Sequence, residues 1–362
     1  MVLLAALGVA FLVYKFHGLW SGGGFQWTSV VRSLYGVRIS LLLLSIAGIY
    51  ACYALRALRW MHLARHIGKA HFWNVYSATL MGFSCVFLLG RPGEPVRPML
   101  IARKDSLSTA GMFGVYILER MFDIASTAVL AGIALLLFGR VEFDGSKSAA
   151  VMSVVRSVGA TLLVGLAVVV GFLVYFRYHG AGWLGRRLGE STWRTGWRKQ
   201  IVLLVEGFSE GLQGIRAWGD LGVLVAYTAV HWFLVTLVCL WVTRAFGGRL
   251  AAMNLAQATL LLAITMVGST AQLPGVGGGS QAASFLVFTL IFGVESGLAA
   301  TASILLWLVM FAACLAVGVP LLFREGWSMG ELRRVARAEK EAGKAALMEE
   351  AERDVDSMGR PE

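Results

Sequence analysis

The chain has 362 residues, of which 57% are hydrophobic and 15% charged, with a formal net charge of +11. A soluble domain of this size must wet its outside, and this composition leaves too little polar surface to do so, which excludes a soluble fold. The basic excess then belongs to a membrane protein's orientation and its anionic headgroups rather than to nucleic acid.

Long apolar runs recur at residues 1–16, 37–55, 72–90, 111–138, 157–176, 219–243, 251–273 and 296–323. A helix needs roughly 20 such residues to cross a ~30 Å hydrocarbon layer, so an all-α polytopic membrane protein is expected, multi-pass in the cytoplasmic membrane. The runs are continuous rather than alternating, which excludes a β-barrel. Residues 1–16 have no positive segment before the apolar run, unlike a cleaved signal peptide, and a start upstream of Met1 stays open.

Lysines and arginines orient the segments. Arg56, Arg59, Arg65 and Lys69 mark residues 56–71 as cytoplasmic; Arg186, Arg187, Arg194, Arg198 and Lys199 do the same for 179–216. So do Arg324, Arg333, Arg334, Arg337 and Lys340 for the tail. If 72–90 crossed fully, Arg97, Arg103 and Lys104 would face outward against this rule. A re-entrant hairpin that turns at "RPGEPVRP" and returns to the same face avoids that. The second half repeats the pattern: "MNLAQATLLLAITMVGSTAQ" runs into "LPGVGGGSQ", and the apolar stretch after it is only about half a bilayer long. The expectation is about six full transmembrane helices plus two re-entrant broken-helix hairpins in inverted-topology repeats, a pattern that places substrate at the broken helices. Residues 1–324 form the transmembrane domain and 325–362 a charged cytoplasmic helical tail.

Half of the six prolines, Pro92, Pro95 and Pro98, interrupt the first hairpin. Proline removes a backbone donor and clashes with the preceding turn, and non-helical backbone survives at membrane depth only inside protein or beside a wet cavity. Such a turn attracts anions, and Arg91 and Arg97 add planar guanidiniums that grip phosphate. Glu94 is a carboxylate for a cation, a proton or an internal salt bridge with Arg97.

A helix starting near Ser108 puts Glu119 about 16 Å along its axis, close to the bilayer midplane. On that helix Tyr116, Glu119 or Arg120, and Asp123 share one face. Three ionisable groups in five residues at that depth are costly and mark a functional path, although a self-neutralising structural cluster has the same composition. At the second turn Pro274, Gly275, Gly277, Gly278 and Gln281 offer backbone amides and a side-chain amide without charge. No lysine follows the glycines, so this is not a phosphate-binding P-loop.

Other features carry less. The four cysteines, Cys52, Cys85, Cys239 and Cys314, are scattered singly through apolar runs and read as packing residues. His62 and His66 stand four apart on a basic juxtamembrane helix, which explains them better than a metal does. The "DVD" at 354–356 lies in the acidic, alanine-rich tail. No nucleophile–base arrangement, cofactor motif or metal set is present.

The ordered combination of "RALRW", "PGEPVRP", "ILERMFD" and "LPGVGGGSQ" resembles the transmembrane region of lysylphosphatidylglycerol synthases and its free-standing flippase-like relatives, through most of the chain. The resemblance implies a membrane protein that binds an amphiphilic lipid. In the bifunctional synthases this region translocates aminoacylated phospholipid, and a soluble aminoacyl-transfer domain follows it. Here a short charged tail stands in that place, so transferase activity is not expected. Relatives often carry a glutamate where this chain has Gln281 and an arginine around Trp307.

The reading that follows is a lipid flippase-like transporter with membrane lipids of anionic or amphiphilic headgroup as partners, and no cofactor. Two alternatives remain: an integral membrane glycosyl- or headgroup-transferase acting on lipid, and a secondary transporter of a small solute. The first would need an acidic pair or base on a sizeable loop. The second differs in a cavity that does not open sideways to lipid.

Overall fold

The computed structural model describes residues 35–138 and 218–326, together with the single helical residues 160, 164, 165, 167 and 171. The expected spans 1–16 and 157–176, the basic segment 179–216 and the tail beyond residue 326 lie outside the described residues, except for those five positions. What is described is helical apart from short connections and one two-residue β ladder. This is an all-α membrane protein, as the apolar runs require.

Helix α1 (Ile39–Ala64), α2 (Phe72–Leu89), α3 (Val96–Asp105) and α4 (Thr109–Phe138) follow one another in the first part. After them come α5 (Trp218–Arg244), a single turn Gly248–Ala251, α6 (Leu255–Gly268) and α7 (Gly279–Leu286). The chain ends its described part with α8 (Ser296–Trp307) and α9 (Leu315–Arg324), joined by a π-helical stretch at Leu308–Ala312. By length and composition α1, α2, α5 and the run Ser296–Arg324 are each able to cross a membrane.

The chain forms two compact units, interleaved in sequence: Met1–Arg56 with Arg120–Val174 and Gly222–Ala313, and Ala57–Glu119 with Tyr175–Leu221 and Cys314–Glu362. Each contains one helical hairpin. In the second unit α2 and α3 pack side by side across the turn at Gly90–Pro95. Pro92 opens a 3-10 turn at Arg91–Gly93, and Pro98 falls in the first turn of α3, where its missing N–H is one the helix leaves unpaired anyway. The broken stretch is therefore shorter than the three prolines suggest, because α3 begins before the last of them.

The open end of this hairpin is tied together. Asp105 accepts hydrogen bonds from the His71 amide (3.0 Å) and from Asn74 Nδ2 (2.7 Å), and its Oδ1 lies 2.9 Å from His71 Nδ1. Burial favours the protonated acid, but the bonds from Asn74 and His71 outweigh it and hold the Asp105 carboxyl below its ordinary value. Lys104 Nζ reaches Glu325 at 2.6 Å and Ser77 Oγ at 3.1 Å, while Arg65 pairs with Asp220. The end of α1, the start of α2, and the ends of α3 and α9 thus meet at one end of the second unit.

In the first unit α6 and α7 form the other hairpin. Residues 251–273 are not one spanning helix: α6 stops at Gly268, and a 3-10 turn and the ladder Gln272–Leu273 with Gly277–Gly278 reverse the chain. Asn254 and Gln257 form a reciprocal capping box at the start of α6, which sets its N-terminus. Ala131 and Ala134 of α4 pack on Leu260 and Ala263 of α6, with Ile264, Ile291 and Phe292 around them. All four cysteines are buried and unpaired by disulfide.

Candidate functional site

Two of the expected site residues meet in the second unit, together with one that sequence reasoning assigned only to orientation. Glu119 of α4 is fully buried and receives Arg59 Nη2 of α1 on one carboxylate oxygen at 2.8 Å. Arg97 of α3 pairs with its other oxygen. The side chains of Arg59 and Arg97 are 1% and 4% exposed. One carboxylate thus holds two guanidiniums away from water.

Arg97 is also framed by rings. Its guanidinium carbon lies 4.4 Å from the Trp60 ring centroid, 5.4 Å from Phe83 and 6.0 Å from Tyr116. A weakly hydrated planar cation loses less on leaving water when it rests on aromatic faces. Gly82 makes room for it: a Cβ there would stand 2.5 Å from the Arg97 Cβ, so only glycine lets the legs of the hairpin close around this side chain. Trp60 is itself fully buried, and its Nε1 donor has no hydrogen-bond partner among the described residues.

The remaining expected residues divide. Tyr116 joins the ring frame, as its place one turn before Glu119 suggests. Asp123 is 8% exposed and pairs with Arg56 at 2.9 Å, within the first unit. Arg120 is half-buried. Arg91 is exposed and Glu94 half-buried, and neither is part of the charged group around Glu119. The salt bridge that the turn sequence offered between Glu94 and Arg97 is not formed. Arg97 instead reaches a carboxylate on another helix, in surroundings from which water is excluded.

Arg56 and Arg59 were expected in a cytoplasmic loop at 56–71. They lie inside α1, which runs on to Ala64. Buried carboxylates on α4 offset the cost of carrying two arginines into a packed helix. The signal was present in the spacing: arginines three apart on one helix, and acids four apart on another.

The second turn has a different chemistry. Gln281 is 8% exposed and turns back on its own loop: its Oε1 accepts from the Gly278 amide and from Ser280 Oγ at 3.3 Å, and its Nε2 donates to the Val276 carbonyl at 3.3 Å. Gly277 takes φ +82°, and a side chain there would run into both Gln281 and Trp307. Pro274 precedes Gly275 at φ +70°, in the tip between the two ladder strands. The expected residues of this turn therefore do come together, but Gln281 spends its amide on closing the loop.

The model of the lysylphosphatidylglycerol synthase TM region matches residues 2–318. The chain belongs to that family. Searches of curated proteins and of solved structures find no match. Membership covers both hairpins of this lysylphosphatidylglycerol synthase TM-region protein, and it accounts for the ordered motifs that bracket them. The two positions at which the sequence departs from the pattern expected of relatives, Gln281 and Trp307, lie against the same glycine.

Proposed function

We propose that this protein is a lipid transporter of the cytoplasmic membrane. It would hold the headgroup of an anionic or amphiphilic lipid at the first hairpin while the acyl chains stay in the bilayer. The observation that carries the reading is the buried Arg59–Glu119–Arg97 group at the broken helix. A buried ion group of this kind contributes little to stability, since the desolvation penalty rivals the attraction. Ionisable residues within membrane segments are by default functional. The Trp60 donor beside Arg97 has the chemistry that a phosphate or carboxyl oxygen satisfies. Family membership supports a role in lipid metabolism or transport, and movement of lipid is the reading favoured by a carboxylate already engaged with two guanidiniums.

The test is headgroup accessibility of a fluorescent anionic phospholipid in proteoliposomes, with mass spectrometry of the lipid that copurifies. Arg97→Ala should lower both copurified phospholipid and translocation. Arg97→Lys, which keeps the charge but loses the planar fork, should recover only part of either. If Arg97→Ala melts like the parent protein and retains both lipid and translocation rate, the reading fails.

A further inference from the structure

The start of α2 carries three aromatic rings. Phe72 stacks on Tyr76 (centroids 5.6 Å apart, planes 10° apart), and Trp73 meets both edge-on at 5.2 and 6.1 Å. Trp73 is 74% exposed, whereas Trp60, Trp232 and Trp307 are 8% exposed or less. An exposed tryptophan with a tyrosine beside it at one end of an apolar helix is poorly placed in water and poorly placed in hydrocarbon. It suits the headgroup layer, where an amphipathic ring is half wetted.

Charge at the same end agrees. Asp105 joins the start of α2 to the end of α3, so Arg103 stands level with the rings, and Arg65 and Lys69 lie on the connection that enters α2. Arg65, Lys69 and Arg103 are exposed. Asp105, Asp220 and Glu325 are engaged with His71, Arg65 and Lys104. With Arg65 paired to Asp220, the outward-facing charge left among the described residues at this end is that of Lys69 and Arg103, basic and complementary to an anionic lipid surface.

We infer that Phe72, Trp73 and Tyr76, with Lys69 and Arg103, form an interfacial anchor docked in the anionic headgroup layer of one leaflet. The first hairpin then starts at that layer, and Arg97, eight residues inside Asp105, lies about 12 Å deeper along α3 at about 1.5 Å per residue. The inference concerns membrane depth and the lipid that surrounds this end, so it stands or falls separately from lipid transport.

The probe is a nitroxide on Trp73→Cys or, with the rings intact, on His71→Cys, in nanodiscs of phosphatidylglycerol and phosphatidylcholine. Both labels should collide with oxygen and with a water-soluble nickel chelate to similar extents, the profile of the headgroup layer. A label at Phe87 should favour oxygen. Aqueous or hydrocarbon behaviour at both 71 and 73 would overturn the assignment. Lys69→Gln with Arg103→Gln should lower the phosphatidylglycerol-to-phosphatidylcholine ratio retained by the purified protein at least about twofold. An unchanged ratio would remove the anionic part of the proposal.

Discussion

In the first hairpin the turn and the helix after it carry Arg91, Glu94 and Arg97, and the last of these ends on a buried carboxylate of α4. In the second hairpin the turn has no ionisable residue and closes on the amide of Gln281. Both reverse a helix within an apolar stretch, and both must satisfy backbone freed from helical bonding. The neutral turn does so with groups of its own: a two-residue ladder, glycines at positive φ and a side-chain amide. A desolvated guanidinium cannot be satisfied so locally, because it needs an opposite charge as well as acceptors. Hence the first hairpin is completed by α1 and α4, whereas the second is closed mainly by its own loop. The lesson is that charge at a helix break recruits neighbouring helices, and a neutral break does not have to.

The contrast can be broken at its strongest point. Glu119→Ala leaves two buried guanidiniums without their shared carboxylate, and it should cost about 3–5 kcal/mol. Thermal melting in detergent with added lipid measures it. A melting temperature equal to the parent's would mean that the group is not held as one unit. In the second hairpin, Gly277→Ala forces a side chain to positive φ and against Gln281 and Trp307. An effect of about 1–3 kcal/mol is expected, with the amount of phospholipid that copurifies unchanged. Loss of that lipid in Gly277→Ala would show that the two turns are not chemically separate.

The smallest expected effect lies at the open end of the first hairpin. The Asp105 carboxyl is held below its ordinary value, so its contribution is fully present above about pH 4, the ordinary carboxylate value, and is lost as pH falls through its lowered value in the folded protein. Asp105→Asn should lower stability slightly at neutral pH, by about 0–1 kcal/mol, and the gap to the parent protein should close in acid. Melting curves from pH 3 to 7 test this. A gap that widens in acid would reverse the sign.

Much of this is legible in the sequence. The two hairpins could be read from apolar runs interrupted by "RPGEPVRP" and "LPGVGGGSQ", since proline and glycine act locally and their effect does not depend on what packs nearby. Glu119 and Asp123 could be read as buried because charge in an apolar helix has few other uses. The partners were not legible. Arg59 by itself looks like any juxtamembrane arginine, and its spacing from Arg56 gains meaning only when α4 brings two acids of matching spacing alongside. Gly82 gives no local signal at all, since its value lies in the Arg97 side chain that rests on it. Gln281 was legible as part of the second turn but not in its role, because an amide that binds a ligand and an amide that closes a loop have the same letter.

The four cysteines have a practical consequence. Each is 1% exposed or less, and the sequence holds no others. A membrane-impermeant maleimide should therefore react poorly with the native chain. Single cysteines introduced at Lys104, at Ser108 or beyond the second turn can report sidedness directly, with no need first to strip out thiols that pack the interior.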